Sequence, residues 1–321
     1  MNEFALIAKY FRPLAGAPGA FGLTDDAAAF AVPAGEDLVA TCDAIIEGTH
    51  FLPEDPIETV ARKLLRVNVS DLAAKGARPL GYLLSCLWAH TTLEATIAKF
   101  AGALGEDQAR FGMTLLGGDT TSGDGPMAFS LTALGLVARG RMIRRAGAQG
   151  GDTLYVTGTI GDAHLGLLAA TGALDHVSEV ARAFLIARYR VPEPRRAFML
   201  AARDHIHAAI DVSDGLLADA GHLTEASGVA IEIDAARIPL SDAASQWLAS
   251  GGAIERLATG GDDYEVCFAA PAGSAAALDA VARETGTRLT PIGRVGVGSG
   301  IRLLEANGHE IPVNSRGYAH F

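Results

Sequence analysis

The stretch from Asp55 to Ala89, DPIETVARKLLRVNVSDLAAKGARPLGYLLSCLWA, decides how the first half of the chain is read. Asp55 stands at an N-cap position, Pro56 at the first helical position and Glu58 two residues later, which together mark a helix start. Val60, Leu64, Val67 and Leu72 then recur at helical spacing up to Lys75, and Gly76 supplies the stop. Leu80 to Trp88 reads as a strand, so one helix is bracketed by strands. Working outward, Asp37 to Cys42 is a strand before it. Leu93 to Phe111 is a second helix after it, followed by strands over Met113 to Leu116 and Met127 to Val137. This alternation predicts a mixed α+β architecture.

The Gly- and Arg-rich RRAGAQGGD run, Arg144 to Asp152, shows no periodicity and marks a junction. It divides the chain into an expected N-terminal domain, 1–143, and a C-terminal domain, 144–321. In the second, Thr153 to Thr157 reads as strand, Ala163 to Ala170 as helix and Val177 to Tyr189 as a longer helix ending before Pro192 and Pro194. Ala208 to Val212 reads as a strand feeding a helix from Gly215 to Ala226. Tyr264 to Ala269 is strand-like, and Thr287 to Val313 alternates like a small sheet.

A length of 321 residues favours two domains, and 49% hydrophobic with 20% charged residues is a globular composition. No apolar run approaches the ~20 residues of a membrane span, and the N-terminus lacks a basic region followed by an apolar core, so a cytoplasmic protein is expected. Cys42, Cys86 and Cys267 are far apart, which argues against a disulfide framework or a thiolate metal site. A formal charge of −11, with no basic run, disfavours nucleic acid. Lysine occurs only at positions 9, 63, 75 and 99, and no GxxxxGK[ST] loop is present, so phosphate handling here does not use a P-loop.

The acids that stand out fall at element ends beside glycine: Asp25 and Asp26 in GLTDDAAA, Asp43, Asp71, Asp119 in LLGGDTTSG, Asp211 and Asp214 in AIDVSDGLLAD, and Asp262 and Asp263 in TGGDDYE. Each has an ordinary alternative as a turn residue or cap, and Asp214 before Gly215 is a good N-cap. Asp211 and Ser213 project to one side of a strand that meets a helix N-terminus, a place for a metal-bound phosphate. Asn68 and Asp71 share a helix face between apolar neighbours, as metal-site oxygens or as a polar pair with Lys75. Oxygen ligands without a His or Cys cluster select Mg²⁺ or Ca²⁺.

Taken in order, EFALIAKYF, TDDAA, CDAIIEGTHF, VNVSDLAAKGARP, LLGGDTTSG, RRAGAQGGDTLYVTGTIGDA, AIDVSDGLLADAGH, GGDDYEVCF and GYAHF resemble the thiamine-monophosphate kinase family, within the superfamily that includes aminoimidazole ribonucleotide synthetase. The resemblance implies ATP-dependent phosphorylation of thiamine monophosphate to thiamine diphosphate, with ATP and several Mg²⁺ ions in the cleft between two α+β domains. It also implies a homodimer formed through strands of the N-terminal domain. Asp26, Asp43, Asp71, Asp119, Asp211 and Asp214 match metal-binding aspartates, with Thr41 a further ligand and Cys42 standing where the family has a hydroxyl residue. Gly118, Asp119, Arg145 and Ser213 match ATP contacts, and His50 a substrate contact. Asp262 stands for the substrate-contacting glutamate of the family's GGEDYE element, and Ser315 for an aromatic residue whose place Tyr318 could take. Thr24 replaces a glycine before the first acid pair.

The acceptor in such a reaction is a phosphate monoester already ionised near neutral pH, so alignment and charge neutralisation matter more than a general base. Arg145 is the expected guanidinium clamp on phosphate. Other superfamily enzymes and a non-catalytic nucleotide-binding dimer are the alternatives. A selenophosphate synthetase would want a reactive Cys or selenocysteine before Cys42, and a hydrogenase-maturation relative a terminal cysteine where this sequence has Phe321.

Overall fold

The computed structural model describes residues 3–175, 177–313, 315, 317 and 318. The last part of the GYAHF motif, residues 319–321, lies outside them. Contacts divide the chain into two units, Met1–Leu72 with Ala77–Met142, and Ala73–Gly76 with Ile143–Phe321.

In the first unit a short helix α1 (Glu3–Leu6) runs into a π-helical turn, followed by β1 (Glu36–Ile46), α2 (Ile57–Ala74), β2 (Arg78–Ala89), α3 (Glu94–Phe111), β3 (Leu115–Gly123) and β4 (Ala128–Ala138). The four strands lie in the order β1-β4-β2-β3, antiparallel except for the parallel β2–β3 pair. That parallel pair follows from the α3 crossover between its strands. β3 runs on through GGDTTSG instead of stopping at Leu116, because each of these small residues finds a partner on β2, from Gly117 opposite Leu83 to Gly123 opposite Ala89. One sheet face is sealed by α2 and α3. Leu64, Leu72, Phe100 and Leu104 are fully buried, and Trp88, Phe100 and Phe129 pack with ring centroids 4.7–5.2 Å apart. The other face stays open along Leu38, Ile46, Leu83 and Leu87.

The second unit contains β5 (Thr153–Thr157), α4 (Asp162–Ala170), α5 (Glu179–Arg190), α6 (Arg196–Ala202), β6 (Ala208–Asp211), α7 (Leu216–Ser227), β7 (Ala230–Asp234), α8 (Asp242–Ala249), α9 (Ile254–Thr259), β8 (Val266–Ala270), α10 (Ala275–Thr285), β9 (Leu289–Gly296) and β10 (Gly300–Leu304). Its sheet has the order β10-β7-β9-β5-β8-β6, with β10–β7 the parallel pair. β5 and β8 are apolar and buried almost throughout because helices cover both faces of this sheet. The expected β6-to-α7 connection is present, with α7 starting one residue after Gly215.

Candidate functional site

In the first unit the alternation of β1 turns Thr41 and Asp43 to one face, and α2 meets that face with Asn68 and Asp71. The Asp43 amide donates to Asn68 Oδ1 at 3.1 Å, and Asn68 Nδ2 donates to the Leu64 carbonyl at 2.9 Å. The Thr41 hydroxyl donates to Asp71 Oδ2. Asn68 and Asp71 thus take partners on β1, while Lys75, the partner considered from sequence, donates to the Ala209 carbonyl at 2.9 Å. Burial and the neighbouring Asp71 charge push the Asp43 carboxyl up to about 6. Two crowded carboxylates and a hydroxyl make a set of hard oxygens that a divalent cation satisfies. Cys42, between them on β1, turns its side chain to the other face, with its sulfur 3.5 Å from Ser130 Oγ.

Asp26 lies on an exposed loop that lines a pocket of about 350 Å³ together with Asp25, Gly118, Asp119, Phe11 and Leu83. The two acids of the pair differ. Asp25 Oδ1 accepts the Asp26 amide at 2.8 Å and shapes the loop, leaving Asp26 as the carboxylate not committed to that turn. Thr24 donates its hydroxyl to the Phe21 carbonyl at 2.7 Å, so it closes the turn where glycine would have been flexible. Across the pocket, Gly118 has φ +150°, and a Cβ there would sit 1.8 Å from the Leu84 carbonyl oxygen. Glycine is required at this point by the closeness of β3 to β2. Asp119 follows on the exposed part of β3 and accepts the Thr120 amide at 2.9 Å.

The EGTHF segment folds into a turn in which the His50 amide donates to the Ile46 carbonyl and the Ile46 amide donates to His50 Nδ1, at 2.8 and 3.1 Å. An N–H aimed at Nδ1 places the proton of the neutral ring on Nε2. Lys63 Nζ holds the His50 carbonyl at 2.8 Å, so the ring is carried by a fixed backbone.

In the second unit, β6 ends at the buried Asp211, and the chain passes through Val212, Ser213, Asp214 and Gly215 into α7. Main-chain bonds join this connection to two other predicted segments. The Asp262 and Tyr264 amides donate to the Ser213 and Val212 carbonyls at 2.8 Å each, and the Tyr318 amide donates to the Asp214 carbonyl at 3.0 Å. The structure therefore brings Asp211, Ser213, Asp214, Asp262 and Tyr318 together. Ser315 bonds only locally among the contacts seen, its hydroxyl donating to the Gly317 carbonyl at 3.0 Å. Asp262 and Tyr264 both have positive φ, +72° and +49°, strained values for residues with a Cβ. Arg145 has an exposed side chain in the loop before β5, and the Ser227 hydroxyl donates to its carbonyl at 3.2 Å.

Asp219 and Glu265, which hold this arrangement, escaped the sequence reading, and Asp263 was named there without a partner. Asp214 is not the cap of α7. Gly215 takes the N-cap position without a side-chain bond, and Asp219, five residues beyond Asp214, reaches back to accept three amides. Burial, then the Asp214 charge, pushes Asp219 up to about 7 against those donors. The fully buried Asp263 accepts the Gly161 and Ala163 amides at 2.6 and 3.1 Å, and burial pushes it up to about 8. Glu265, also fully buried, accepts from Arg188 at 3.0 Å, from Arg195 Nε at 2.6 Å and from Thr157 at 2.8 Å. Burial alone would raise the Glu265 carboxyl, yet Arg195 and Arg188 outweigh it and hold it below the usual range. Its signal in sequence was a single charged residue two positions past the GGDD run, paired with arginines some 70 residues earlier. Among the described residues, no group of three or more His, Cys, Asp or Glu side chains is arranged as a ready metal cage, and no helix is long and apolar enough to cross a membrane.

The family model for AIR synthase related protein, N-terminal domain, matches residues 24–137, and that for the C-terminal domain matches residues 149–304. The chain is 44% identical over 325 residues to the thiamine-monophosphate kinase of Caulobacter vibrioides, covering 99% of this chain and 91% of that protein. The crystal structure of the thiamine-monophosphate kinase from Stenotrophomonas maltophilia superposes with a TM-score of 0.81 at 40% identity, covering 88% of this chain and 89% of that one. A ThiL structure complexed with AMPPCP and TMP superposes with a TM-score of 0.78 at 29% identity, covering 94% and 97%. The two domain matches and the full-length identity agree with the ordered motifs, and the chain belongs to the thiamine-monophosphate kinase family of AIR synthase related proteins.

Proposed function

We propose that this chain transfers the γ-phosphoryl group of ATP to thiamine monophosphate, giving thiamine diphosphate and ADP. The observation that carries this reading is the full-length identity to a thiamine-monophosphate kinase, in a chain that keeps the aspartate set of the motifs. A phosphate oxygen of thiamine monophosphate attacks the γ-phosphorus, and the bond from that phosphorus to the β,γ-bridging oxygen breaks as ADP leaves. The acceptor oxygen carries no proton that must be removed, which accords with the absence of any need for a His-Asp base.

The oxygen-rich donors fit Mg²⁺, which takes one or two carboxylates and completes its shell with phosphate oxygens and water. Thr41, Asp43 and Asp71 would hold one ion position, and Asp26, Asp119, Asp211 and Asp214 supply further carboxylates. Bound there, the metal would neutralise phosphate charge in the transition state. The remaining roles fall to the chain itself. Gly118 lets the β3 backbone line the nucleotide pocket beside Asp119. Arg145 and Ser213 bind phosphate oxygens, and His50 Nε2–H donates to the substrate. Asp262 and Tyr318 are assigned to the thiamine side, and Ser315, with its hydroxyl turned to Gly317, is left a secondary candidate.

We also propose a homodimer formed on the open face of the first unit's sheet, because Leu38, Ile46, Leu83 and Leu87 would otherwise leave an apolar stripe in water. The N-terminal region, 1–143, is assigned dimerisation and part of the metal and nucleotide binding. The C-terminal region, 144–321, is assigned the rest of the nucleotide and substrate contacts. The test is mass analysis after incubation with ATP, Mg²⁺ and thiamine monophosphate, with thiamine as control. Formation of thiamine diphosphate with ADP is expected, and its absence from a folded preparation overturns the reading.

A further inference from the structure

The three consecutive amides of Ser213, Asp214 and Gly215 converge on one oxygen, Asp219 Oδ2, at 3.0, 3.0 and 3.1 Å. Asp219 is 3% exposed and sits in the first turn of α7. Three neighbouring N–H groups at a helix N-terminus ordinarily make an anion site, where a phosphate oxygen would bind directly. Here an internal carboxylate already fills that position. The carbonyls of the same loop are also engaged, by the Asp262, Tyr264 and Tyr318 amides, and the Val212 amide donates to the Glu265 carbonyl at 2.8 Å. Gly215, with φ +125°, passes so close to Thr259 that a Cβ would lie 2.7 Å from its carbonyl oxygen. The backbone is tied on both sides, and what the loop offers outward is the half-exposed side chains of Ser213 and Asp214.

We infer that Asp219 is a positioning residue that occupies the anion-binding amides of the α7 N-terminus and fixes Ser213 and Asp214, so that phosphate reaches this loop through metal and the Ser213 side chain and not through its main-chain amides. The inference rests on the proposed kinase reading for its consequence in turnover, but the electrostatic exchange is a property of the loop itself. Removing the Asp219 oxygen frees three amides toward anions and lets the Asp214 carboxylate drift. Such second-layer partners typically carry about 10–100-fold in metal affinity or activity.

The test compares Asp219→Ala, which removes the acceptor, with Asp219→Asn, which keeps one oxygen in place without the charge. Mn²⁺ binding to the nucleotide-free protein is followed by electron paramagnetic resonance, inhibition by inorganic sulfate is measured in turnover, and folding is checked by circular dichroism and thermal melting. Expected for Asp219→Ala are Mn²⁺ affinity lowered about tenfold or more, sulfate inhibition at lower concentration, and a raised Mg²⁺ requirement, with Asp219→Asn in between. Wild-type Mn²⁺ affinity and sulfate response in a folded Asp219→Ala protein overturn the inference. If Asp219→Ala does not fold, Asp219→Asn decides alone: unchanged Mn²⁺ affinity and sulfate response overturn it. A wild type that binds Mn²⁺ but makes no thiamine diphosphate sinks the kinase reading while leaving the Mn²⁺ comparison to judge Asp219.

Discussion

Gly118→Ala tests whether the glycine of LLGGDTT is there for packing, with the shape of the pocket beside Asp119 as its consequence. An alanine Cβ at this position would lie 1.8 Å from the Leu84 oxygen and 2.7 Å from its carbonyl carbon, both main-chain atoms of the paired strand. No side chain can rotate away. The parallel β2–β3 pair must open by more than an ångström at the Leu84–Gly118 register, losing about two ladder hydrogen bonds at ~1 kcal/mol each. Holding a non-glycine residue near φ +150° adds about 1–3 kcal/mol. The expected destabilisation is about 3–5 kcal/mol, which for a unit of this size corresponds to a melting shift of about 10–15 °C. Gly117→Ala is the internal control: its Cβ would meet only Leu83 Cδ2 at 3.4 Å, an ordinary contact. Differential scanning calorimetry of both variants without ligand checks the claim. A Gly118→Ala protein melting within about 2 °C of wild type, or as close to it as Gly117→Ala, refutes the steric account.

Three more outcomes are expected. Glu265→Gln leaves Arg188 and Arg195 against an uncharged partner in the interior and should cost about 3–5 kcal/mol in urea unfolding, with a larger loss than any single surface-pair deletion such as Glu94→Gln. Asp26→Asn should lower turnover far more than Asp25→Asn, because Asp25 is engaged with the Asp26 amide; equal losses in steady-state assays would count against that division. For Asp263, whose carboxyl is raised to about 8 by burial, the folded chain keeps a proton that the unfolded chain releases above about pH 4. Its contribution to stability is therefore full below about pH 4 and is lost as pH rises through 8. Asp263→Asn should be less stable throughout yet show a flatter fall of the urea midpoint between pH 5 and 8; a parallel pH profile would contradict the assignment.

The strands and helices that the sequence made legible are those whose burial is one-sided or complete over several turns: α2 with its helical stripe, β2 and β4 with their alternation, β5 with its unbroken apolar run. α6, α8, α9 and β7 are too short for their apolar residues to set a period against tertiary contacts. β3 was cut short because glycine and threonine carry no hydrophobic signal, although their backbone ladder to β2 continues to Gly123. The candidate site was legible as residue types and not as connections. Asp43 and Asp71 could be named as acids, yet that Thr41 bonds Asp71 and Asn68 holds the Asp43 amide depends on where α2 lies over β1. Strand alternation did show that the Cys42 side chain faces away from those of Thr41 and Asp43, since neighbours of a strand face opposite ways.

The loop entering α7 shows why the remainder stayed hidden. Read locally, Ser-Asp-Gly before an apolar helix is a capped helix start, and a free helix N-terminus suggests phosphate. In the folded chain the cap is supplied from inside the helix by Asp219, and the loop's carbonyls are taken by Asp262, Tyr264 and Tyr318. The amides that a helix N-terminus would offer are filled, and the loop presents the side chains of Ser213 and Asp214. A protein without a P-loop lysine, carrying a net charge of −11, has little cationic charge of its own to offer a polyphosphate. The amides of this turn are committed to a buried carboxylate, which makes the Mn²⁺ and sulfate responses of the Asp219 variants the sharpest discriminator between a loop whose amides bind phosphate and one whose amides are already filled.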